Sequence, residues 1–200
     1  MEPITFQRIK DYYTDHAVGF DLLYERVLDK AKTMPERVPF VELGTRCGGT
    51  ALLTLWAIKE SKVDRPLITV DPYGDKPYRL DADRINDTMG YGESFQRQAA
   101  QGIAEFCKEN ELSCWHYRLL DRDFMNIWDT IEIWYKGQLL GKKFGYAYLD
   151  AEHDVDTVQT ELAWFKPRMF ENGLIVIDDP QISYLDAYRN HDGHRDYISL

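Results

Sequence analysis

Acidic residues recur at the ends of apolar runs in this chain, and one of them opens a glycine-rich turn. Val38-Pro39-Phe40-Val41 leads into Glu42, followed by Gly44, Thr45, Arg46, Cys47, Gly48, Gly49 and Thr50. Leu67-Ile68-Thr69-Val70 ends in Asp71. Tyr146-Ala147-Tyr148-Leu149 runs into Asp150-Ala151-Glu152-His153, and Leu174-Ile175-Val176-Ile177 into Asp178-Asp179. The glycines let a backbone approach a ligand closely, and free N–H groups at the start of a helix favour a polar or anionic group. An acid at Asp71 can accept hydrogen bonds from both ribose hydroxyls of a nucleoside cofactor. Asp150, Asp178 and Asp179, brought together without a basic partner, would repel one another. A hard divalent cation resolves that repulsion, and oxygen ligands suit Mg²⁺ or Ca²⁺ better than Zn²⁺. The plainer alternative for any one of these acids is a helix cap or a solvated strand end.

The elements that must position these residues alternate along the chain. Strands are expected near 38–43, 67–71, 113–118, 144–149 and 174–178. Helices are expected near 48–60, 94–110, over the aromatic run Phe124 to Trp134, and near 154–170. Five such alternations predict an α/β fold with a doubly wound, mostly parallel, Rossmann-like sheet. Ligands in such sheets sit at the carboxyl ends of the strands, so Glu42, Asp71, Asp150 and Asp178 should converge on one crevice. Residues 5–32 read as two amphipathic helices ahead of the first strand, either a packing layer or a lid with Tyr12, Tyr13 and Phe20 in its wall. Residues 72–93 form a long Asp-, Gly- and Tyr-rich loop, a length that is usually functional.

Composition narrows the class. Two hundred residues, 44% apolar and 29% charged, predict one globular domain. It divides into a helical cap (1–35), a cofactor-binding core (36–180) and a short tail (181–200). A net charge of −10, from 24 basic and 34 acidic residues, argues against nucleic acid as a partner. No apolar run approaches the roughly 20 residues of a membrane span, and the N-terminus does not read as a secretory signal. Three cysteines without a C-x-x-C pair suit free thiols in a reducing cytoplasm. Cys47 has no paired base and reads as a small residue packed beside the cofactor. Trp115-His116 reads as core or edge packing, and His191-Asp192-Gly193-His194 as a solvated tail.

The loop Gly44-x-x-x-Gly48-Gly49 lacks the middle glycine of the dinucleotide pattern G-x-G-x-x-G. The stretch Val41 to Thr50 instead resembles the first motif of class I S-adenosylmethionine-dependent methyltransferases, in the version found in catechol-type and macrolide-sugar O-methyltransferases. Asp150-Ala151-Glu152-His153 resembles the first acidic motif of their metal-dependent branch, and Asp178-Asp179 the second. The resemblance implies S-adenosylmethionine held by Glu42, Gly44, Thr45, Gly48, Gly49, Thr50 and Asp71, with Asp121 near the adenine. It implies Mg²⁺ (or Mn²⁺) on Asp150, Asp178 and Asp179, lowering the pKa of a substrate hydroxyl, with His153 as the base. The expected acceptor is a small-molecule hydroxyl, a sugar or glycoside first and a phenol or catechol second.

Twenty-one residues follow Asp179, about half of what the usual closing helix and antiparallel hairpin need. The sheet edge is therefore expected to be abbreviated, cut short or covered by a partner, and a homodimer would cover it. Two other classes compete. A hydroxylase-like oxidoreductase lacks support in the absence of G-x-G-x-x-G and of an iron-binding triad. A non-catalytic cofactor-binding subunit would have no reason to gather three carboxylates.

Overall fold

The computed structural model describes residues 4–13, 19–73, 93–150, 154–178, 190–191 and 195–200. A single turn α1 (Phe6–Arg8) and a π-helical turn (Ile9–Tyr13) precede α2 (Phe20–Thr33). Then come β1 (Phe40–Leu43), α3 (Gly49–Ser61), β2 (Leu67–Val70), α4 (Glu93–Asn110) and β3 (Cys114–Tyr117). These are followed by α5 (Asp121–Trp128), β4 (Trp134–Tyr135), β5 (Gln138–Leu139), β6 (Phe144–Leu149) and α6 (Val155–Phe165). The chain closes with β7 (Met169–Asp178), β8 (Asn190–His191) and β9 (Arg195–Ser199).

The main sheet has the order β3-β2-β1-β6-β7-β9-β8. It is parallel from β3 to β7, and β9 and β8 complete it antiparallel. Strands β1, β2 and β6 are buried throughout, as strands covered on both faces must be. The pleat sends Phe40, Leu67, Tyr146, Tyr148 and Val176 to the layer formed by α2, α3 and α4. It sends Val41, Leu43, Ile68, Val70, Ile175 and Ile177 to the layer of α5 and α6. Chain order reverses between β1 and β6, and that switch point is where the crevice of such a sheet lies. Backbone bonds hold its rim together: Gly44 N–H donates to Val70 O at 2.8 Å, and Asp150 N–H to Leu43 O at 2.9 Å.

Three expectations change. The aromatic helix stops at Trp128 instead of reaching Trp134, because the Trp128 indole donates to Lys142 O at 3.1 Å and the Lys142 ammonium returns to Trp128 O at 2.7 Å. A two-residue hairpin follows, with Lys136 and Gly137 both at positive φ, the geometry a tight hairpin turn requires. The helix expected to reach 170 ends at Phe165, since Pro167 lies in the 3-10 turn Lys166–Arg168 and its ring cannot continue an α-helix. Finally, residues 195–199 are not a tail. Strand β9 pairs with β7 from Leu174↔Ser199 to Asp178↔Arg195, with Arg195, Asp196, Tyr197 and Ile198 all buried. The edge of β7 is thus paired within the chain, which removes the reason for expecting a partner subunit there. Among the described residues, no helix is long and apolar enough to cross a membrane.

Candidate active site

The glycine turn connects the end of β1 to α3, and two glycines are fixed by conformation. Gly44 has φ +85° and Gly48 φ +91°, a region open mainly to glycine. A Cβ at Gly48 would also sit 3.2 Å from the Ala99 Cα of α4, so the turn lies directly against that helix. Gly48 caps α3 without any side-chain cap. Among the described residues no side chain caps the helix start, which follows directly on the turn at the end of β1, so its first N–H groups are free to take a polar or anionic group. Thr45 and Gly49 are buried in this turn, and Thr50 is half-buried.

Asp71 is committed to the turn itself. Its carboxylate accepts from the Arg46 N–H at 2.7 Å and from the Tyr73 N–H at 2.9 Å. The Tyr73 hydroxyl donates back to Arg46 O at 2.8 Å, so Arg46, at φ +48°, is clamped through both backbone groups. Burial pushes the Asp71 carboxyl up, against the opposing pull of the Arg46, Tyr73 and Thr45 amides.

Glu42 is the most unusual residue of the site. It lies in β1 between Thr69 and Tyr148 of the neighbouring strands and is fully buried. Neither of its carboxylate oxygens has a hydrogen-bond partner among the described residues. Burial first, and then the charges of Asp150, Asp71 and Asp178, push its pKa well above the usual carboxylate range. Asp71, Asp150 and Asp178 each come within electrostatic reach of Glu42.

The far end of the crevice carries a basic group that sequence reasoning missed. Arg195, 3% exposed, lies opposite Asp178 in the β7–β9 register, and its Nε is 2.8 Å from the Asp178 carboxylate. The same Nε donates to the Tyr148 hydroxyl at 3.2 Å. Burial alone would lower the Arg195 pKa, but Tyr148 and Asp178 outweigh it and keep the guanidinium charged. The premise of carboxylates gathered without a basic partner therefore fails at Asp178. Nothing in the residues around 195 announces this, because an arginine acquires the role only through strand pairing.

The remaining expected positions divide. Asp150 is half-buried at the end of β6, and Asp121 is half-buried as the first residue of α5, which follows the edge strand β3. His153 and Asp179 lie outside the described residues, as do Asp192 to His194 and residues 74–92 of the long loop. His116 is more than packing: its Nδ1 is 2.7 Å from the Thr69 hydroxyl and its ring lies 5.6 Å from that of Tyr73, where burial lowers its pKa. The Cys47 thiol donates to Tyr13 O at 3.1 Å, and Gln98 donates to Tyr12 O at 2.9 Å. The N-terminal turn is thus fastened to both the glycine turn and α4. Tyr13 is buried there, Tyr12 is exposed, and Phe20 belongs to the core.

A doubly wound sheet of this order, with a glycine turn at its switch point, has its ligand crevice beside that turn. Residues 41–180 match the family of methyltransferase domains, and the chain belongs to that family. Among curated proteins none matches the sequence significantly. Solved structures share the fold at low identity. The SAH-bound Podospora anserina methyltransferase PaMTH1 is 11% identical with a TM-score of 0.52, covering 89% of this chain and 63% of its own. The O-methyltransferase NovP is 14% identical with a TM-score of 0.55, covering 88% of this chain and 78% of its own. The TDP-rhamnose 3'-O-methyltransferase CalS11 of calicheamicin biosynthesis is 11% identical with a TM-score of 0.51, covering 90% of this chain and 72% of its own. The chain thus spans under two thirds of the length of PaMTH1.

Proposed function

We propose that this chain transfers a methyl group from S-adenosylmethionine to a hydroxyl of a small molecule, with a sugar or glycoside as the first candidate. The observation that carries the cofactor assignment is Glu42: a fully buried carboxyl group with no hydrogen-bond partner among the described residues, beside the start of α3, which no described side chain caps. A site so built is incomplete until a cationic or hydrogen-bonding group enters, and S-adenosylmethionine offers an ammonium, a carboxylate and a ribose together. When bound, it supplies an electrophilic methyl on a sulfonium.

The roles of the chain follow from its geometry. The uncapped N–H groups of α3 suit the carboxylate of the cofactor, and Glu42 its ammonium. Asp71 and Tyr73 hold the Thr45–Arg46 turn in its binding shape, so the ordering cost is met before the ligand arrives. Asp71 retains lone pairs for a ribose hydroxyl, since a carboxylate offers about four acceptor sites. His153, by the family likeness, is the residue that takes the proton of the acceptor hydroxyl. Orientation of donor and acceptor in line then supplies most of the rate.

A divalent cation on Asp150, Asp178 and Asp179 is what the likeness implies. Asp178 does not fit that role as the fold holds it, because its carboxylate is already paired with a buried guanidinium. The sugar assignment draws on the acceptor named for CalS11, which shares the fold.

Calorimetric titration of S-adenosylmethionine into the protein tests the cofactor, and methyl transfer to a panel of nucleotide sugars, glycosides and phenols tests the acceptor. Saturable binding with turnover on a sugar supports the proposal. No binding at about millimolar cofactor, an interaction weaker than roughly 4 kcal/mol, refutes it. Turnover only on phenols moves the assignment to the catechol branch.

A further inference from the structure

We infer that Arg195 is the resident cation at the acceptor end of this site, balancing Asp178 in the place where a divalent metal would otherwise sit. The inference rests on the methyltransferase reading for its setting, but not for its test. Three observations carry it. Asp178 and Arg195 are direct partners in the antiparallel β7–β9 ladder, so their side chains share one face of the sheet at the shortest cross-strand distance. Both are buried, at 9% and 3% exposure, and their charged atoms are 2.8 Å apart. The guanidinium is held from a third strand by the Tyr148 hydroxyl, whose own strand ends in Asp150. Three strands therefore fix one cation against the acids at the switch point.

The chemistry of the pair makes it exclusive. A buried guanidinium cannot shed its proton to make room for another cation. A divalent ion on Asp178 would meet a fixed like charge across the same carboxylate and would have to compete with Arg195 for it. The pair nonetheless keeps a permanently charged guanidinium beside the end of β7, against the carboxylate that a metal would otherwise have to neutralise. The pairing also explains why so short a closing strand suffices. Strand β9 has five residues, and its first supplies this contact.

Manganese binding, read by the loss of the free-ion paramagnetic resonance signal, tests the inference without any substrate or cofactor. The wild-type protein is expected to bind Mn²⁺ no tighter than about 1 mM, the weak end of biological oxygen-ligand sites. Arg195→Leu, which frees the carboxylate while keeping an apolar filler, is expected to gain at least roughly tenfold in Mn²⁺ affinity, and Arg195→Leu with Asp178→Asn to lose it again. Arg195→Lys, which keeps the charge, is expected to remain like the wild type. Wild-type binding tighter than that limit, weakened roughly tenfold by Asp178→Asn, would overturn the inference, as would a Leu variant that folds and gains nothing. If Arg195→Leu fails to fold by circular dichroism, the wild type, Asp178→Asn and Arg195→Lys decide the matter alone. Titration of S-adenosylmethionine into the same samples is read separately, so loss of cofactor binding and gain of metal binding cannot be confused.

Discussion

Replacing Glu42 by Gln should make the protein's stability less dependent on pH while weakening its hold on the cofactor. Glu42 is fully buried with no hydrogen-bond partner among the described residues, and burial followed by the charges of Asp150, Asp71 and Asp178 raises its pKa. In the unfolded chain it titrates near the ordinary value of 4.5. Above that pH the native state holds a proton that the unfolded state has released. Folding stability must therefore fall as pH rises, until the folded group itself ionises. The slope is about 1.4 kcal/mol per pH unit, so the most that this one residue can subtract by pH 7 is roughly 3 kcal/mol. For a domain of this size that corresponds to about 6–12 °C in Tm. Gln has nearly the same shape and the same missing partners, but it does not titrate, so its cost is constant with pH. Scanning calorimetry of both proteins between about pH 5 and pH 8, with the cofactor absent, should show the Gln variant gaining on the wild type as pH rises. Parallel melting curves across that range would refute the reasoning and mean that Glu42 has a partner or solvent access in solution. The same variant should bind S-adenosylmethionine at least roughly tenfold more weakly, because an entering ammonium favours the ionised form of Glu42 and pairs with it, whereas an amide cannot ionise.

Other perturbations probe the supports of the site. Gly48→Ala forces an L side chain to φ +91° and brings its Cβ to 3.2 Å from Ala99 Cα, at a cost of about 1–2 kcal/mol for the left-handed backbone alone; calorimetry should give a lower Tm and cofactor titration a weaker Kd, and unchanged binding would mean that this turn does not hold the ligand. Asp71→Asn removes charge-assisted acceptors for the Arg46 and Tyr73 amides, worth about 1.5–3 kcal/mol each; a fall in cofactor affinity and faster amide exchange at Arg46 are expected, and unaltered exchange at that amide would contradict the clamp. Gly102→Ala would place a Cβ 2.6 Å from the Tyr13 ring, and overpacking of about 1–3 kcal/mol should outweigh the helix propensity that alanine adds. Trypsin should then cleave at Arg8 or Lys10 faster than in the wild type, and equal rates would show that the N-terminal turn is not seated by this contact.

Much of the fold was written locally. Apolar runs such as Leu67–Val70 and Phe144–Leu149 read as strands because their residues are β-branched or aromatic and both faces need cover. Gly44 and Gly48 marked the turn because only glycine enters their backbone region at little cost. The placement of Glu42, Asp71, Asp150 and Asp178 at strand ends, and hence their meeting at one crevice, followed from parallel topology alone. Where local reading failed, distant contacts had overruled it. Trp134 sits at helical spacing from Ile127 and Ile131, yet the Trp128–Lys142 bonds end the helix early and Gly137 turns the chain into a hairpin.

The sequence by itself determined the doubly wound sheet, the glycine turn and the acids that line its crevice, because each depends on residues within a few positions of one another. Only the tertiary structure decided which charges balance. Asp71 turned inward to clamp Arg46, Glu42 was buried with no hydrogen-bond partner among the described residues, and Arg195 arrived beside Asp178 from a strand that its polar composition had disguised as a tail. Cross-strand pairing brings together residues with no sequence relation, and at low dielectric that pairing sets their charge state.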